Sequence, residues 1–310
     1  MIYMFGAGYM AKEYLRVIKK MGLHAKAVSR TKSSAESITS EFGIYCYDGG
    51  YAAFNIEIAR EDVAVVCTPI ETLFSCTKSL INLGFKKILV EKPGALNVSD
   101  LEELKNLADA SSCEVFIAYN RRFFSSVQHL RKILATEELL AVNFELSEWT
   151  HRIILEAYSE DALKHWFISN TSHVVDLVFD IAGVSDELSC YTSGSLDWHP
   201  SASRFSGSGR SGRNILLNYI GYWDSPGRWS VEFVTADNRY ILRPMEKLAV
   251  QKKGSIEISN IEGIDYSDDE ICKPGVLKMM TYFLAGEYAR FCDLAEQIER
   301  IKIYNKMANY

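Results

Sequence analysis

Short apolar runs alternate with amphipathic segments along the first 120 residues of the chain. The runs are continuous, which is typical of strands buried on both faces, and the segments between them carry apolar residues at helical spacing. Ser99 and Glu102 have the spacing of a capping box and are expected to begin the last of these helices. The predicted strands are Ile2–Phe5, Ala25–Ser29, Val63–Cys67, Ile88–Val90 and Val115–Tyr119, and the predicted helices are Met10–Met21, Ser33–Phe42, Leu73–Leu83 and Leu101–Ala110. This alternation predicts an α/β domain built on a doubly wound parallel sheet.

The pattern changes after residue 120. Apolar and polar residues alternate in "LLAVNFELSEW" and through much of the stretch from Leu188 to Val250, as in strands with one solvated face. Helical patterns occupy residues 125–134, 171–181 and 273–291, and a further helix follows to the end of the chain. We therefore expect domains at residues 1–120 and 121–310, the second being α+β with a mostly antiparallel open sheet.

Composition narrows the class of protein. The net charge of the 310 residues is −6 and no basic run is present, which argues against nucleic-acid binding. No apolar stretch has membrane-spanning length, and the first residues lack the basic start of a signal peptide. The seven cysteines are scattered without a CxxC pair, and no His, Cys and carboxylate cluster has metal-ligand spacing. We expect a cytoplasmic protein with reduced thiols, no metal site and no membrane contact.

A glycine turn follows the first predicted strand. Gly6, Gly8 and Ala11 form the pattern Gly-x-Gly-x-x-Ala at the start of a predicted helix. The first glycine permits a tight turn, the second allows a pyrophosphate to approach the backbone, and a small third residue allows close packing of helix on strand. A purely structural turn is the alternative. We predict a dinucleotide site of the Rossmann type, with Gly6, Ala7, Gly8, Tyr9 and Met10 against the phosphates.

The residues after the second strand bear on which dinucleotide binds. An NAD site usually has an acidic side chain there, which binds the ribose 2′-hydroxyl group. This chain has Ser29, Arg30, Thr31 and Lys32 instead. Hydroxyl groups and cations suit a 2′-phosphate, so NADP is favoured and NAD remains possible. A solvated polar loop is the alternative interpretation.

Several motifs together resemble the Gfo/Idh/MocA (glucose-fructose oxidoreductase / inositol dehydrogenase) family. They are "GAGYMA" in the glycine turn, "VVCTP" at residues 65–69, "VEKPGAL" at residues 90–96, "YNRRF" at residues 119–123 and "SHVVDL" at residues 172–177. The resemblance covers about residues 1–185 at the level of motifs. It implies a two-domain NAD(P)-dependent oxidoreductase that acts on sugars, sugar nucleotides or cyclitols.

The resemblance also implies roles for single residues. Lys92 would polarise the reacting oxygen of the substrate, and His173 would exchange its proton, although a lone histidine on a helix is more often structural. Cys67, Thr68 and Pro69 would lie beside the nicotinamide ribose. Glu91 is either a polar contact near the cofactor or part of a structural ion pair.

Apart from Lys92, substrate contacts are expected from Asn120 and from residues that follow it in the chain. The resemblance places Asn120 and Arg121 where the family lines its interdomain cleft, and Arg122 and Asp176 have structural interpretations. The family's full catalytic arrangement has an aspartate four residues before the histidine, where this chain has Ser169 followed by Asn170. Trp149 and Trp166 are aromatic candidates, although a tryptophan in such a position is more often a core or rim residue than a ligand contact. The candidate substrate-binding residues are Lys92, Asn120, Arg121, Trp149, Trp166, Ser169, Asn170 and His173.

These features predict an NAD(P)-dependent dehydrogenase or reductase that interconverts hydroxyl and keto groups on a sugar or sugar nucleotide. Two alternatives remain open. One is a regulatory protein that senses cofactor or sugar with reduced catalysis, and the other is a lyase or glycosidase that uses transient NAD-dependent oxidation. The second half, expected to bind substrate, also has an alternating segment at Ile215–Trp223, which predicts a homodimer or homotetramer formed through its sheet.

Overall fold

The computed structural model describes residues 1–310, apart from the side chain of Asp186. The chain forms two compact units. The first contains residues 1–119 and 276–301, and the second contains residues 120–275 and 302–310. Residues 276–301 thus pack with the first unit, whereas the sequence prediction divided the chain once, at residue 120.

The described residues form fifteen strands and eleven α-helices. The strands are β1 (Ile2–Phe5), β2 (Ala25–Val28), β3 (Cys46–Tyr47), β4 (Val63–Val66), β5 (Lys87–Val90), β6 (Glu114–Ile117), β7 (Ala141–Glu145), β8 (Ser185–Ser193), β9 (Arg204–Ser211), β10 (Leu216–Tyr222), β11 (Ser230–Val234), β12 (Asn238–Leu242), β13 (Ala249–Lys252), β14 (Ile258–Asn260) and β15 (Cys292–Asp293). The helices are α1 (Tyr9–Lys20), α2 (Lys32–Phe42), α3 (Gly50–Ala53), α4 (Leu73–Leu83), α5 (Val98–Ala110), α6 (Ser125–Leu134), α7 (Glu160–Lys164), α8 (Ser172–Ala182), α9 (Ser267–Ile271), α10 (Val276–Ala285) and α11 (Leu294–Ala308).

The sheet of the first unit has the strand order β15-β6-β5-β4-β1-β2-β3. Its first six strands in chain order are parallel, and β15 is antiparallel to β6. The strand order reverses between β1 and β4, and ligands of doubly wound sheets bind outside the carboxyl ends of the strands at such a reversal. The topology therefore directs attention to the turns after β1 and β4.

The carboxyl-terminal part of the first unit completes its sheet. Cys292 of β15 is the register partner of Ile117 on β6, and α10 contacts α1. The ring of Tyr288 stacks on that of Phe116 with centroids 4.4 Å apart. These contacts bury apolar surface at the edge of the parallel sheet, which explains why residues 276–301 belong to this unit.

The second unit contains an eight-stranded sheet with the order β14-β13-β12-β11-β7-β10-β9-β8. Its neighbouring strands are antiparallel except for β7 and β10, which are parallel. Burial alternates along β10, where Leu217, Tyr219 and Gly221 face inward, and α8 contacts β7 and β11. The predicted fold class, a Rossmann-type parallel sheet with a mostly antiparallel second sheet, is confirmed.

Two local predictions differ from the structure. Helix α5 begins at Val98 because the Asn97 side chain accepts a hydrogen bond from the Asp100 backbone N–H, so the expected start at Ser99 and Glu102 is wrong. The short elements β3 and α3 had no counterpart in the prediction. Among the described residues, no helix is both long and apolar enough to cross a membrane.

Candidate cofactor and substrate sites

The two glycines of the first turn have different surroundings. Gly6 donates its N–H to the Val28 carbonyl at 2.9 Å and has a φ of +126°. A Cβ atom on Gly6 would lie 2.4 Å from the carbonyl oxygen of Cys67, so only glycine fits there. Gly8 has an ordinary φ of −77°, and a Cβ atom on it would meet nothing within 4 Å. The fold itself therefore requires Gly6, whereas Gly8 leaves open space beside the backbone.

That open space is part of a cavity of about 550 Å³ in the first unit. Its wall is formed by the turns after β1, β2, β3 and β4, at the reversal of the strand order. Lining residues are Phe5, Gly6, Ala7, Gly8, Val28, Arg30, Thr31, Ser34, Gly49, Gly50, Tyr51, Ala52, Thr68, Pro69 and Thr72. The cavity has the size of a cofactor site.

The groups in this wall fit a dinucleotide. Helix α1 begins beside the cavity, and its N-cap residue Gly8 provides no side-chain cap. The N–H groups of the first turn and the helix dipole favour an anion at that position. The buried hydroxyl oxygen of Thr68 has no hydrogen-bond partner among the described residues. A pyrophosphate at the start of α1 would accept hydrogen bonds from its N–H groups, and a ribose near Thr68 would supply a partner for the Thr68 hydroxyl oxygen.

Not every residue expected at the cofactor lies in this wall. Gly6, Ala7, Gly8, Arg30, Thr31, Thr68 and Pro69 line the cavity, but Tyr9, Met10, Ser29, Lys32, Cys67, Glu91 and Lys92 do not. The hydroxyl group of Ser29 is buried and donates to the Thr31 carbonyl at 3.0 Å, so it holds the loop in place. Burial raises the pKa of the Cys67 thiol well above its ordinary value, and the thiol stays protonated.

Sequence reasoning missed four consecutive residues of the wall, Gly49 to Ala52. Gly49 and Gly50 have φ values of +85° and +75°, and the N–H of Gly50 donates to the Ser29 carbonyl at 2.7 Å. The Tyr51 hydroxyl group hydrogen-bonds that of Ser75 at 2.7 Å. The Gly-Gly pair directly after Asp48 was the available signal, because consecutive glycines mark a turn.

Lys92 lies in a turn that is fixed on several sides. The N–H of Glu91 donates to the Val66 carbonyl at 2.8 Å, and the N–H of Gly94 donates to the Glu91 carbonyl at 3.0 Å. A Cβ atom on Gly94 would lie 2.7 Å from the Ile117 side chain. Glu91 accepts a hydrogen bond at 2.9 Å from the buried Tyr14 hydroxyl of α1, and burial together with Glu91 raises the Tyr14 pKa. The lysine is half-buried at the carboxyl end of β5.

A residue far along the chain supports the same turn. The side chain of Gln297 on α11 is fully buried and donates from Nε2 to the Pro93 carbonyl at 2.9 Å. Its Oε1 atom accepts a contact from the Cys292 thiol at 3.5 Å. The peptide bond between Lys92 and Pro93 is cis. A lone glutamine in an amphipathic helix carried no signal for this role.

In the second unit, His173 is the second residue of α8 and is buried. Its ring centroid lies 6.4 Å from that of Trp229. Asp176, one turn later, forms a buried two-point ion pair with Arg122, with distances of 2.9 Å from Nε to Oδ2 and 2.8 Å from Nη2 to Oδ1. This pair fixes α8 against the turn at Asn120–Phe123, which agrees with the structural interpretations of Arg122 and Asp176.

The other substrate candidates of the second unit have varied surroundings. Asn120 donates to the Pro274 carbonyl at 2.9 Å, and Ser169 donates to the Ala162 carbonyl at 2.9 Å. Trp166 is buried and contacts the rings of Tyr158 and Trp198, in agreement with its interpretation as a core residue. Each of these three side chains has a structural role within the unit.

Arg121, Trp149 and Asn170 are the remaining candidates of the second unit. The Arg121 guanidinium lies over the Trp229 ring at 4.7 Å, and Trp149 is exposed. Asn170 donates to Glu148 at 2.9 Å. No group of three or more His, Cys, Asp or Glu side chains among the described residues is arranged to hold a metal ion.

Comparison with known proteins gives a family match for residues 1–119. Residues 1–119 match the family model GFO_IDH_MocA, described as an oxidoreductase family with an NAD-binding Rossmann fold. A search of curated proteins found no match.

Solved structures share the fold over almost the whole chain. A dehydrogenase (MviM) from Clostridium difficile has a TM-score of 0.80 at 19% identity, covering 99% of this chain and 98% of that one. UDP-N-acetylglucosamine 3-dehydrogenase GnnA from Acidithiobacillus ferrooxidans has a TM-score of 0.77 at 13% identity, covering 99% and 96%. Levoglucosan dehydrogenase in complex with NADH and L-sorbose has a TM-score of 0.78 at 13% identity, covering 99% and 95%. Residues 1–119 therefore match the oxidoreductase family GFO_IDH_MocA, with its NAD-binding Rossmann fold, and the solved structures share the fold of almost the whole chain.

Proposed function

We propose that the protein is an NADP-dependent dehydrogenase or reductase that interconverts a hydroxyl and a keto group on a sugar or sugar nucleotide. The observation that carries the proposal is the cavity of the first unit, where the open side of Gly8, the start of α1 and the Thr68 hydroxyl oxygen meet. A dinucleotide satisfies all three features together.

The wall near β2 supports NADP over NAD. Arg30 is the one charged side chain among the described lining residues, and no carboxylate is among them. Thr31 and Ser34, which also line the cavity, contribute hydroxyl groups at the start of α2. An arginine and a helix N-terminus both favour a 2′-phosphate.

Lys92 would act on the substrate oxygen. The bound nicotinamide would supply the hydride acceptor or donor. Beside it, the Lys92 ammonium group would attract the reacting oxygen and stabilise the negative charge that develops there. The fixed turn around Lys92 keeps this charge in one place, so little reorganisation accompanies the reaction.

His173 would exchange the proton of the reacting hydroxyl group. Its imidazole is buried on α8, and the Arg122–Asp176 pair holds that helix in position. An imidazole titrates near neutral pH when it is unperturbed, which suits a general acid and base. Asp176 is engaged with Arg122 and would position the helix without contacting substrate.

The substrate class rests on the neighbours with similar folds. The names of two of them contain a sugar nucleotide and an anhydrosugar, and one structure holds L-sorbose. We propose a cytoplasmic enzyme of carbohydrate metabolism, which agrees with its seven free thiols.

We also propose self-association through the sheet of the second unit as a homodimer or homotetramer. Tyr191, Ser206 and Ile220 are register partners across β8, β9 and β10, and Tyr191 and Ile220 are exposed. Leu216 lies exposed on the same side of β10. Light scattering at micromolar concentration checks this, and a monomer would contradict it.

The function is tested by nucleotide binding and by turnover. NADPH should bind more tightly than NADH, and purified protein should oxidise NADPH with at least one keto-sugar or keto-sugar nucleotide. Binding without any turnover would favour a sensor. A tightly retained nucleotide, identified by mass spectrometry and unchanged in net redox state during substrate cleavage, would favour a lyase.

A further inference from the structure

A buried carboxyl group without a predicted role follows β7. Glu148 is 4% exposed, and its Oε1 atom accepts hydrogen bonds from Thr171 Oγ1 at 2.6 Å and from Asn170 Nδ2 at 2.9 Å. Both donors belong to the segment that leads into α8, two and three residues before His173. Because both bonds go to the same oxygen, Oε2 accepts no hydrogen bond from the described residues. Oε2 is not among the fully buried polar atoms that lack a partner, so it is open to water or to a ligand.

Glu148 also lines a cavity that lies wholly within the second unit. The cavity has a volume of about 490 Å³ and lies between the segment at residues 148–151 and the turn at residues 223–227. Trp149, Trp223 and His151 contribute aromatic rings to its wall, and Asp224 is an acidic neighbour. This volume suits a small molecule, and the Glu148 carboxyl group would determine which ligand groups fit.

The positive charges of two guanidinium groups, those of Arg228 and Arg121, interact electrostatically with the Glu148 carboxyl group. The guanidinium of Arg228 lies between two indoles, 4.8 Å from the Trp149 centroid and 4.9 Å from that of Trp229. That of Arg121 lies 4.7 Å from the Trp229 centroid. Stacking on the rings fixes both cations in place.

These surroundings allow Glu148 to titrate near neutral pH. Burial raises its pKa to about 7, against the opposing effects of the Thr171 hydrogen bond, Arg228, the Asn170 hydrogen bond and Arg121. His151 and Asp224 are the other ionisable groups of the cavity wall. Both the acid and the carboxylate are therefore populated at working pH, as is common for functional carboxyl groups.

We propose that Glu148 is a substrate-binding residue, whose Oε2 atom accepts a hydrogen bond from a hydroxyl group of a sugar held in this cavity. The inference rests on the proposed function and goes beyond it by assigning the hydroxyl-reading residue. Only the carboxylate offers both oxygens as acceptors, so sugar binds more tightly as pH rises through the titration of Glu148. A site that hydrogen-bonds a hydroxyl group also rejects analogues that lack it.

The decisive variant is Glu148→Gln in the NADPH-bound protein. The amide oxygen of the glutamine still accepts the hydrogen bonds from Thr171 and Asn170. The amide N–H₂ group, a donor, then stands toward the cavity where the wild type has the acceptor Oε2. A hydrogen bond to a charged group contributes on the order of 1.5–3 kcal/mol, so affinity should fall about tenfold to a hundredfold above pH 7 and become independent of pH. Glu232→Gln is the matched control, because Glu232 on the neighbouring strand β11 pairs with Arg239 and does not line this cavity.

A second variant keeps the carboxylate. Thr171→Val removes one hydrogen bond that lowers the Glu148 pKa, so the midpoint of the pH dependence should move upward. Carbon-13 NMR of labelled glutamate side chains in the ligand-free protein gives the same midpoint without any substrate.

The experiment measures binding of UDP-N-acetylglucosamine, N-acetylglucosamine and L-sorbose by calorimetry from about pH 5.5 to about pH 8.5, in steps of about one unit, so that the series spans the Glu148 pKa of about 7. We expect at least one probe to bind more tightly as pH rises in the wild type and in Glu232→Gln, and a flat profile in Glu148→Gln. A Glu148 signal that titrates like an ordinary glutamate, an unchanged profile in Glu148→Gln, or no binding of any probe would overturn the inference. Failure of the proposed function looks different, since NADPH itself would then not bind or turn over.

Discussion

At the scale of single residues, Lys92 is the one whose removal should affect chemistry most. Lys92→Ala should lower kcat by on the order of 10²–10³, because it removes a preorganised positive charge that acts mainly in the transition state. NADPH affinity should change little, since Lys92 is not part of the cavity wall. Steady-state kinetics with a confirmed keto-sugar and a fluorescence titration of NADPH check both statements. Lys87→Ala, at the start of the same strand, is the control, and an unchanged kcat in Lys92→Ala would remove the assigned role.

Arg30 should decide between the two nicotinamide cofactors. It is the one charged residue among the described lining residues of the cavity. Because a charge-assisted hydrogen bond contributes on the order of 1.5–3 kcal/mol, Arg30→Ala should weaken NADPH binding about tenfold or more and leave NADH binding nearly unchanged. Lys26→Ala on β2 is the matched control for general charge effects. Equal weakening of both cofactors would mean that Arg30 does not read the 2′-phosphate.

The residues that sequence could identify are those with a local pattern. The glycine turn and the segment around Lys92 stand directly after apolar strands, and such juxtapositions have a physical meaning in the sequence itself. Glu148 and Gln297 could not be identified in this way. Their surroundings depend on partners 22 and 204 residues away along the chain. Burial and hydrogen bonding of that kind arise only when the chain is folded.

At the scale of elements, α11 supports the turn that carries Lys92. The buried Gln297 side chain on this helix donates to the Pro93 carbonyl. Gln297→Ala should reduce stability by about 1–3 kcal/mol, because it leaves a buried carbonyl oxygen without its donor. It should also lower kcat by a larger factor than it raises the Kd for NADPH, since the supported turn carries Lys92 and Lys92 is not part of the cofactor cavity.

The measurements for Gln297 are urea unfolding and steady-state kinetics on the same preparation. Glu299→Ala, on the same helix, is the control for general effects on α11. A variant with wild-type kcat and reduced stability would show that Gln297 stabilises the unit without positioning Lys92.

Element prediction succeeded where periodicity was strong. The five predicted strands of the first half lie within one or two residues of β1, β2, β4, β5 and β6. The two-residue strand β3 and the four-residue helix α3 are too short to show a period. Helix α5 was predicted three residues short because Asn97 competes successfully with Ser99 as the N-cap. Residues 276–301 join the first unit through long-range pairing, which local patterns do not encode.

At the scale of the whole molecule, two buried groups should give opposite pH dependences of stability. Burial lowers the pKa of His199 to about 4, so the unfolded chain binds this proton first as pH falls, and stability decreases between about pH 6.5 and 4. The raised pKa of Glu148 has the opposite effect, because the folded state binds its proton more tightly and loses stability as pH rises from about 4.5 to 7.

The two contributions partly offset each other in the wild type, and a single variant should separate them. His199→Asn removes a side chain that contacts the Ala202 carbonyl and the Tyr310 hydroxyl group, both at 2.6 Å. The variant should be less stable at pH 7, and the difference from wild type should shrink by up to roughly 3 kcal/mol as pH falls to 4. Urea unfolding at several pH values measures this difference. A constant difference across that range would show that His199 has an ordinary pKa.

The central claim is that the cavity beside Gly8 holds the dinucleotide, and Gly8→Asn tests it most directly. The position has an ordinary φ and open space, and asparagine is a favoured N-cap residue, so the fold should be as stable as in wild type or slightly more stable. The new side chain would occupy both the space and the N–H groups at the start of α1. Calorimetric titration with NADPH and NADH should show binding to wild type and to the control Gly212→Asn, whose position is equally open. We predict at least a tenfold to hundredfold loss in Gly8→Asn with unchanged thermal unfolding. Equal NADPH affinity in wild type and Gly8→Asn would contradict the account.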